Sequence, residues 1–419
     1  MTIELINTGS ELMVGRVLNR HQQWLCRQLA DRGLVVARQV AVSDTAEDIR
    51  TAVAESLQRA QLVITTGGLG PTSDDRTREV VADLLELSLV EDSGVIAKLE
   101  AWFRSRNRVM PDTVRLQAQV PREATVLPNG HGTAPGLVIP VGAGPEAWLI
   151  MLPGPPRELH PMFLDQVVPW LDAHLPTRPV QVVRTLRSTG VPESVMQERI
   201  APPLAHLVER GLDIGYCARP GEVDVRFTCS GPDAPAIVAS AEARVRSLLP
   251  EDFYGEEDDL LEAVVVRALA ASGRTLAVAE SCTGGHLANR ITDVPGASEV
   301  FVGGAVTYSN VPKQSLLGVG TDSLAAHGAV SETVVREMAA GARDRFGTDF
   351  ALATTGIAGP GGGTDTKPVG TVFIALAAAD GVEVVQQRNA YDRETFKHVT
   401  SQQALDWLRR RLRASGGRS

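Results

Sequence analysis

The segment that decides the fold of the C-terminal part of the chain is 275–319, TLAVAESCTGGHLANRITDVPGASEVFVGGAVTYSNVPKQSLLGV. The short apolar run 276–279 predicts a buried strand, because polar and small residues bound it. The small residues 281–285 then lead into a helical pattern, HLANRIT, and VFVGGAVTYS predicts the next strand. Strands that alternate with helices predict an α/β fold around a parallel sheet.

Ser281 lies at the predicted strand-to-helix turn, where backbone N–H groups lack partners and the helix dipole favours negative charge. This geometry suits the oxyanion that forms when a serine attacks an amide carbonyl. The hydroxyl needs a base, and Lys313, with Tyr308 at the end of the next strand, fits a Ser-Lys dyad. In the alternative interpretation Ser281 only caps the helix and Lys313 is a solvated side chain.

Two rival nucleophile arrangements use the same turn. Cys282 would be activated as a thiolate at a helix N-terminus, but no well-placed histidine supports it, so we rank it below Ser281. His286 would supply a Ser-His pair, also ranked lower. We expect the Cys282 amide, Thr283 and Gly284 to contact the substrate on the oxyanion side.

A glycine-rich loop, GIAGPGGGTDTK at 356–367, follows another predicted strand in the same unit. Glycine amides without Cβ obstruction, together with a lysine, suit a phosphate. The alternative is an ordinary turn, since the pattern matches neither common phosphate-loop motif. The residues predicted to bind the substrate here are Gly359, Gly361, Gly362, Thr364 and Lys367.

The first part of the chain also alternates strand-like and helix-like patterns, which predicts a second parallel sheet. Three loops that follow its strands are expected on one rim, where such folds bind ligands; they are 9–11, 67–75 and 153–158. Within them Asp74, Asp75 and Glu11 fit a divalent metal of the magnesium or cobalt type that bridges a pyrophosphate. In the alternative interpretation Asp74 and Asp75 cap the helix that begins there.

Between these parts, patterns of strands and helices predict a small α+β unit that follows a linker-like segment, DAHLPTRPV at 172–180. We interpret this unit as a spacer or docking domain. A nucleic-acid-binding KH role is not favoured, since no G-x-x-G clamp is well placed. The predicted domains are 1–170, 171–254 and 255–419.

The composition limits the class of protein. The 419 residues carry a formal net charge of −9, which argues against broad nucleic-acid binding. We interpret the arginine clusters as solvated helix faces; they are Arg104, Arg106 and Arg108, and the run 409–413. Four scattered cysteines show no metal-binding spacing. Because neither a signal peptide nor an apolar run of membrane length is evident, we expect a cytoplasmic protein.

The C-terminal motifs resemble the CinA family of competence/damage-inducible proteins, and they are AESCTGG (279–285), GGAVTYSNVPK (303–313), TTGIAGPGGG (354–363) and KPVGTV (367–372). That family's C-terminal domain resembles nicotinamide-nucleotide amidase (PncC), which hydrolyses nicotinamide mononucleotide to nicotinate mononucleotide and ammonia in pyridine nucleotide salvage. The resemblance implies Ser281 as nucleophile, Lys313 and Tyr308 as its activating partners, and no cofactor. His286 departs from the expected, less polar residue.

The N-terminal motifs resemble the family's MoaB/MogA-like (molybdopterin-binding-type) domain, and they are NTGSELMVG (7–15), TTGGLGPTSDD (65–75), NGHGTAPG (129–136) and LPGPPREL (152–159). This resemblance implies a metal-dependent ADP-ribose pyrophosphatase. The partners we expect are therefore the two nucleotides and a second copy of the chain in a dimer. The family name also leaves open a non-catalytic adaptor in competence or DNA repair, which would not require the Ser281, Tyr308 and Lys313 set.

Overall fold

The protein is described by a computed structural model, which covers residues 1–142, 147–175 and 181–416. Part of the predicted linker, 176–180, lies outside the described residues. Two compact units are present, Met1–Gln181 and Val182–Ser419. Among the described residues no helix is both long and apolar enough to cross a membrane.

The first unit contains a six-stranded sheet and a small two-stranded sheet. Its strands are β1 (Ile3–Thr8), β2 (Val36–Val42), β3 (Leu62–Thr66), β4 (Leu89–Glu91), β5 (Gln119–Pro121), β6 (Thr125–Leu127), β7 (Gly136–Val141) and β8 (Ala147–Leu152). Its helices are α1 (Ser10–Met13), α2 (Arg20–Ala30), α3 (Ala46–Leu57), α4 (Thr77–Leu84), α5 (Ser93–Arg104), α6 (Asp112–Arg115), α7 (Pro156–Met162) and α8 (Val168–His174).

The large sheet has the order β2-β1-β3-β8-β7-β6. The first four strands pair in parallel, and β7 and β6 are antiparallel additions. Because β1 and β3 are buried along their whole lengths, both faces of the sheet are covered. The expected parallel-sheet domain is confirmed.

The middle part of the chain forms a four-stranded sheet of order β10-β11-β9-β12 with two helices. The elements are β9 (Gln181–Thr189), α9 (Glu193–Val208), β10 (Asp213–Arg219), β11 (Glu222–Ser230), α10 (Ala234–Leu248) and β12 (Phe253–Glu256). The α+β class is as predicted from the sequence. Strands β10 and β12 were missed because neither has the alternating or apolar pattern of a half-buried strand.

The C-terminal part forms a five-stranded sheet of order β14-β13-β15-β16-β17. Its elements are α11 (Leu261–Ser272), β13 (Leu276–Glu280), α12 (His286–Thr292), β14 (Phe301–Val306), α13 (Asn310–Leu317), α14 (Thr321–His327), α15 (Glu332–Phe346), β15 (Phe350–Gly356), β16 (Thr371–Ala378), β17 (Gly381–Arg388) and α16 (Arg393–Gly416). Strands β14, β13 and β15 are parallel, and β16 and β17 are antiparallel. The carboxyl ends of the parallel strands carry the residues of the candidate site.

The interpretation of the run 409–413 as a solvated helix face is wrong. Arg409 is buried, forms an ion pair of 2.6 Å with Asp406, and donates to the Glu251 carbonyl oxygen at 2.5 Å. Arg410 also pairs with Asp406 and with Glu251. These contacts join α16 to the segment before β12, so the arginines hold the C-terminal and middle parts of the second unit together.

We predict that Arg409→Met lowers the free energy of unfolding by about 1.5 to 3 kcal/mol, because it removes a buried ion pair with Asp406 and leaves the Glu251 carbonyl oxygen without this donor, while Arg410 still pairs with Asp406. Arg267→Met is the control: its ion pair with Asp259 is exposed, so its loss costs less than about 1 kcal/mol. Urea unfolding of the full chain measures both values. Equal effects of the two variants would show that the buried contact does not hold the unit together.

Candidate active site

The turn that carries Ser281 is fixed by the carboxylate of Glu280, the last residue of β13. This buried side chain accepts hydrogen bonds from three backbone amides, those of Gly285 (2.9 Å), Leu287 (3.1 Å) and Ala288 (2.8 Å). Negative charge at a helix N-terminus is favourable, and the carboxylate satisfies amides that would otherwise lack acceptors. Glu280 therefore sets the path of the chain from β13 into α12.

Two glycines make the turn compact. Gly284 has φ of 60° and Gly285 has φ of 95°, both in the left-handed region that other residues seldom adopt. The main chain is also anchored on both sides, because the Ser281 amide donates to the Thr354 carbonyl oxygen on β15 at 2.9 Å. The Thr307 amide donates to the Glu280 carbonyl oxygen at 2.8 Å. Ser281 is thus held between two neighbouring strands.

Lys313 lies within hydrogen-bond distance of Ser281. Its Nζ is 3.0 Å from the Ser281 Oγ and donates to the Thr307 carbonyl oxygen at 2.6 Å. Lys313 is 1% exposed, so its alternative interpretation as a solvated side chain is wrong. It is carried by α13, a short helix after β14 that returns the lysine toward the end of β13.

Burial lowers the pKa of Lys313, because the low-dielectric interior disfavours its charged form. Its two hydrogen-bond partners, a hydroxyl and a carbonyl, carry no charge to offset this cost. A neutral lysine amine can accept a proton, which a charged ammonium cannot. The arrangement therefore gives Ser281 an adjacent base, the requirement for an activated hydroxyl nucleophile.

The Tyr308 hydroxyl lies elsewhere than the sequence predicts. The side chain is 59% exposed, and its hydroxyl accepts a hydrogen bond from Arg393 at the start of α16. The same guanidinium donates to the Gly359 carbonyl oxygen at 2.9 Å. Strand β14 ends at Val306, so Tyr308 lies in the loop before α13, and its role as an activating partner of Ser281 stays a prediction.

The structure also bears on the two rival nucleophiles. Burial raises the pKa of the Cys282 thiol to about 12, so this residue stays protonated at neutral pH. The His286 ring faces His398, with ring centroids 6.0 Å apart, and burial lowers the pKa of both rings. Neither residue replaces Lys313 as the group that contacts the Ser281 hydroxyl.

Groups for the oxyanion side are found in the same turn. The Thr283 hydroxyl is 2.7 Å from that of Thr354 and is buried, so it supports the turn from within. Among the described residues, no group accepts a hydrogen bond from the amides of Thr283 and Gly284. Of these two residues Gly284 is exposed, so its amide is a donor that the turn leaves for a ligand, whereas Thr283 is buried.

The glycine-rich loop is partly held by its own contacts. Lys367 Nζ donates to the His327 carbonyl oxygen at 2.9 Å, and Thr364 Oγ1 accepts from the Lys367 amide at 3.0 Å. Gly359 is linked to Tyr308 through Arg393, which places this end of the loop beside the candidate site. Substrate binding by Gly361, Gly362, Thr364 and Lys367 stays a prediction.

In the first unit, the three loops predicted on one rim do come together around a cavity of about 850 Å³. Residues from each loop line it, and they include Gly9, Glu11, Gly68, Asp74, Asp75, Pro153 and Glu158. Asn7 and Gln117 also line it, and each has a buried side-chain oxygen without a hydrogen-bond partner. The cavity therefore presents unsatisfied polar groups to a ligand.

The three carboxylates predicted to bind metal all line this cavity but are not gathered into one cluster. In the described ranges no group of three or more histidine, cysteine or acidic side chains is close enough to hold a metal ion. Asp75 accepts from the Thr72 amide at 3.0 Å. Helix α4 begins only at Thr77, so the alternative interpretation of Asp74 and Asp75 as helix caps is wrong.

Four contributing residues were missed from the sequence: Glu280, Thr307, Thr354 and Arg393. The first three lie within the quoted motifs 279–285, 303–313 and 354–363, but they act through main-chain contacts or a buried carboxylate, which residue type alone does not indicate. Arg393 is 85 positions from Tyr308, with which it forms a hydrogen bond. Only its place at the start of a long helix signalled a contact with a neighbouring loop.

Three family models match the chain in succession. Residues 4–173 match a probable molybdopterin binding domain, 183–255 the damage-inducible protein CinA KH domain, and 258–412 the CinA C-terminal domain. The middle part, interpreted from the sequence as a spacer or docking domain, is thus matched by a KH-domain model. The expected MoaB/MogA-like and CinA domains are confirmed.

Full-length relatives are similar over nearly the whole chain. A putative competence-damage inducible protein of Symbiobacterium thermophilum is 48% identical over 90% of this chain and 88% of its own length. A CinA-like protein of Synechococcus elongatus is 41% identical over 98% of this chain and 97% of its own length. The crystal structure of a competence/damage inducible protein from Agrobacterium tumefaciens also matches, with 40% sequence identity and a TM-score of 0.35. The match covers 36% of this chain and 93% of the Agrobacterium chain.

We predict that Lys313→Met stabilises the fold at neutral pH. Because burial lowers the pKa of Lys313 in the folded protein, the unfolded chain binds this proton more tightly than the folded protein does, and that difference opposes folding below the ordinary pKa of lysine. The gain should disappear as the pH rises to the ordinary pKa of lysine, where both states are neutral. Urea unfolding at a series of pH values measures this gain in the free energy of unfolding. If Lys313→Met is less stable than the wild type at neutral pH, burial of Lys313 does not destabilise the fold.

Proposed function

The chain belongs to the CinA family, and we propose that its C-terminal domain hydrolyses the carboxamide of nicotinamide mononucleotide, giving nicotinate mononucleotide and ammonia. The family's C-terminal domain is associated with amidohydrolase function. The single observation that carries the proposal is the 3.0 Å contact between Lys313 Nζ and Ser281 Oγ. A buried lysine against a serine has a chemical use in activating the hydroxyl and no evident benefit to stability.

The first step forms an ester. Neutral Lys313 takes the proton of Ser281 as the hydroxyl oxygen bonds to the carboxamide carbon. The tetrahedral oxyanion is stabilised by the free amide of Gly284 at the turn. The Lys313 ammonium then gives its proton to the departing nitrogen, the C–N bond breaks, and ammonia leaves.

The second step is hydrolysis of that ester. Lys313, neutral again, removes a proton from water, whose oxygen bonds to the acyl carbon. The ester bond breaks, the proton returns to Ser281 Oγ, and the product is nicotinate mononucleotide. Lys313 is thus the base for both halves of the reaction. Tyr308, held by Arg393, is placed to orient the substrate at the exposed side of the site.

The other reading of the family name, a non-catalytic adaptor in competence or DNA repair, does not call for these features. An adaptor gains nothing from a lysine that is 1% exposed beside a serine hydroxyl. The retained contact therefore favours the enzyme. Release of ammonia separates the two functions directly.

Ser281→Ala should lower the rate of ammonia release from nicotinamide mononucleotide by roughly 10³-fold or more, because no other group can form the ester. Lys313→Arg should lower it comparably, since a guanidinium cannot accept a proton. Cys282→Ala is the matched comparison one position along the chain. Loss of activity in Cys282→Ala with activity kept in Ser281→Ala would transfer the nucleophile to the thiol.

For the first unit we propose a second activity, metal-dependent cleavage of ADP-ribose to AMP and ribose 5-phosphate. The observation that favours it is the cavity of about 850 Å³, which brings Glu11, Asp74 and Asp75 together with Arg16 and Arg20. Carboxylates suit a hard cation and arginines suit phosphate oxygens.

The donor set fits a cation that takes further ligands from its substrate. Magnesium is usually bound by one or two carboxylates, waters and phosphate oxygens, and it does not need a closed protein cage. Because the three carboxylates are not clustered, one or two of Glu11, Asp74 and Asp75 would hold the metal, which would stabilise charge on the pyrophosphate. Asn7 and Gln117, whose buried oxygens lack partners, would accept hydrogen bonds from the nucleotide.

Asp75→Asn and Asp74→Asn should each lower the rate of metal-dependent ADP-ribose cleavage at least about tenfold, because each removes a carboxylate that would hold the metal. Neither variant should change the rate of ammonia release, because the two sites lie in different units. AMP is measured with and without added magnesium or cobalt. If wild-type protein cleaves no ADP-ribose with any common divalent ion, the cavity is a binding site without this activity.

A further inference from the structure

A second cavity, of about 690 Å³, lies beside the serine turn, and of its lining residues the reaction described above uses only Arg393, which holds Tyr308. His286, the first residue of α12, lines it together with Lys397 and His398 of α16. Lys397 Nζ is 3.9 Å from the position that a Cβ on Gly284 would occupy. The cavity therefore adjoins the turn that carries the nucleophile.

The polar groups of this cavity are available to an anion. Within the described chain, Lys397 makes neither a hydrogen bond nor an ion pair, and the buried His286 Nε2 has no partner. Arg393 also lines the cavity, and Glu394 is its one carboxylate. Two permanent cations thus face one carboxylate, and of these cations Lys397 has no partner in the described part of the chain, so the cavity favours a ligand that brings negative charge and acceptor oxygens.

The opposite wall comes from the middle part of the second unit. Pro220, at the tip of the β10–β11 hairpin, lines the cavity. The hairpin is held against α16, because Gln402 Nε2 donates to Glu222 Oε1 at 2.8 Å and a Cβ on Gly221 would lie 3.6 Å from Val399. On the other side, the Gly221 carbonyl oxygen accepts from Thr189 Oγ1 at 2.8 Å. The wall is therefore fixed from both domains.

We propose that this cavity binds the phosphate of the amidase substrate, with Lys397 and His286 as its donors and the middle-domain hairpin as its outer wall. This inference rests on the proposed amidase function, for which it names the phosphate subsite. A phosphate monoester is a compact dianion with three terminal acceptor oxygens, which matches a lysine and an imidazole placed together. The middle domain then becomes part of the substrate site.

The test compares nicotinamide mononucleotide with nicotinamide riboside, which lacks only the phosphate. Lys397→Met should raise the KM for the mononucleotide about tenfold or more with kcat nearly unchanged, because the lost interaction is one of binding. The constant for the riboside, as competing substrate or inhibitor, should stay within about twofold. Arg345→Met, which removes an exposed charge at the end of α15 outside the cavity, is the control.

A second pair of variants tests the hairpin wall without touching the basic groups. Pro220→Asp places a carboxylate at the cavity, and Pro220→Asn places the same shape without the charge. A rise in the mononucleotide KM with Pro220→Asp alone supports the assignment. Equal effects of both variants, or none, would remove the hairpin from the site.

The outcomes separate this subsite from the amidase function itself. Suppose that wild-type protein deamidates the mononucleotide but Lys397→Met changes the constant for the mononucleotide and the constant for the riboside by the same factor. The phosphate subsite is then overturned, and the amidase function stands. A phosphate-specific rise with Lys367→Met instead would put the phosphate at the glycine-rich loop. If the wild type has no amidase activity, calorimetry with inorganic phosphate decides: binding lost in Lys397→Met supports the subsite, and no binding to the wild type overturns it.

Discussion

The interaction on which the site depends is the contact of a buried lysine amine with a serine hydroxyl. Lys313 lies in the interior with a hydroxyl and a carbonyl as its partners, so its charged form is disfavoured and its neutral form is the useful one. The surrounding structure maintains this arrangement. Glu280 fixes the turn, Thr354 anchors the serine amide, and α13 carries the lysine back toward β13.

Much of this architecture could be predicted from the sequence, because it is local. The strand, glycine turn and helix around Ser281 follow from periodicity and residue size, and the loops of the first unit share a rim because parallel strands end on one side. The sequence predicted that Lys313 serves as the base for Ser281. The distance between their side chains, however, depends on α13, a helix whose sequence pattern is too short to recognise. The hydrogen bond between Tyr308 and Arg393 could not be predicted, because the two residues are 85 positions apart in the sequence.

The arginine run 409–413 was wrong for a related reason. Charged residues in a helix usually indicate a solvent-exposed face. Arg409 is instead buried, and it donates to carbonyl oxygens of a segment more than 150 positions earlier in the chain. Such contacts make the middle and C-terminal parts one compact unit. If the middle and C-terminal parts both line the nucleotide site, their close packing serves substrate binding as well as stability.

The central claim is that the Ser281–Lys313 contact serves amide hydrolysis of nicotinamide mononucleotide. The most direct measurement incubates purified full-length protein with this nucleotide in the presence of a metal chelator and quantifies ammonia and nicotinate mononucleotide together. We expect the two products in equal amounts, since the proposed reaction uses Ser281, Lys313 and backbone amides of the turn and requires no metal. A wild-type protein that releases no ammonia, or that releases it only with added metal, would contradict the account.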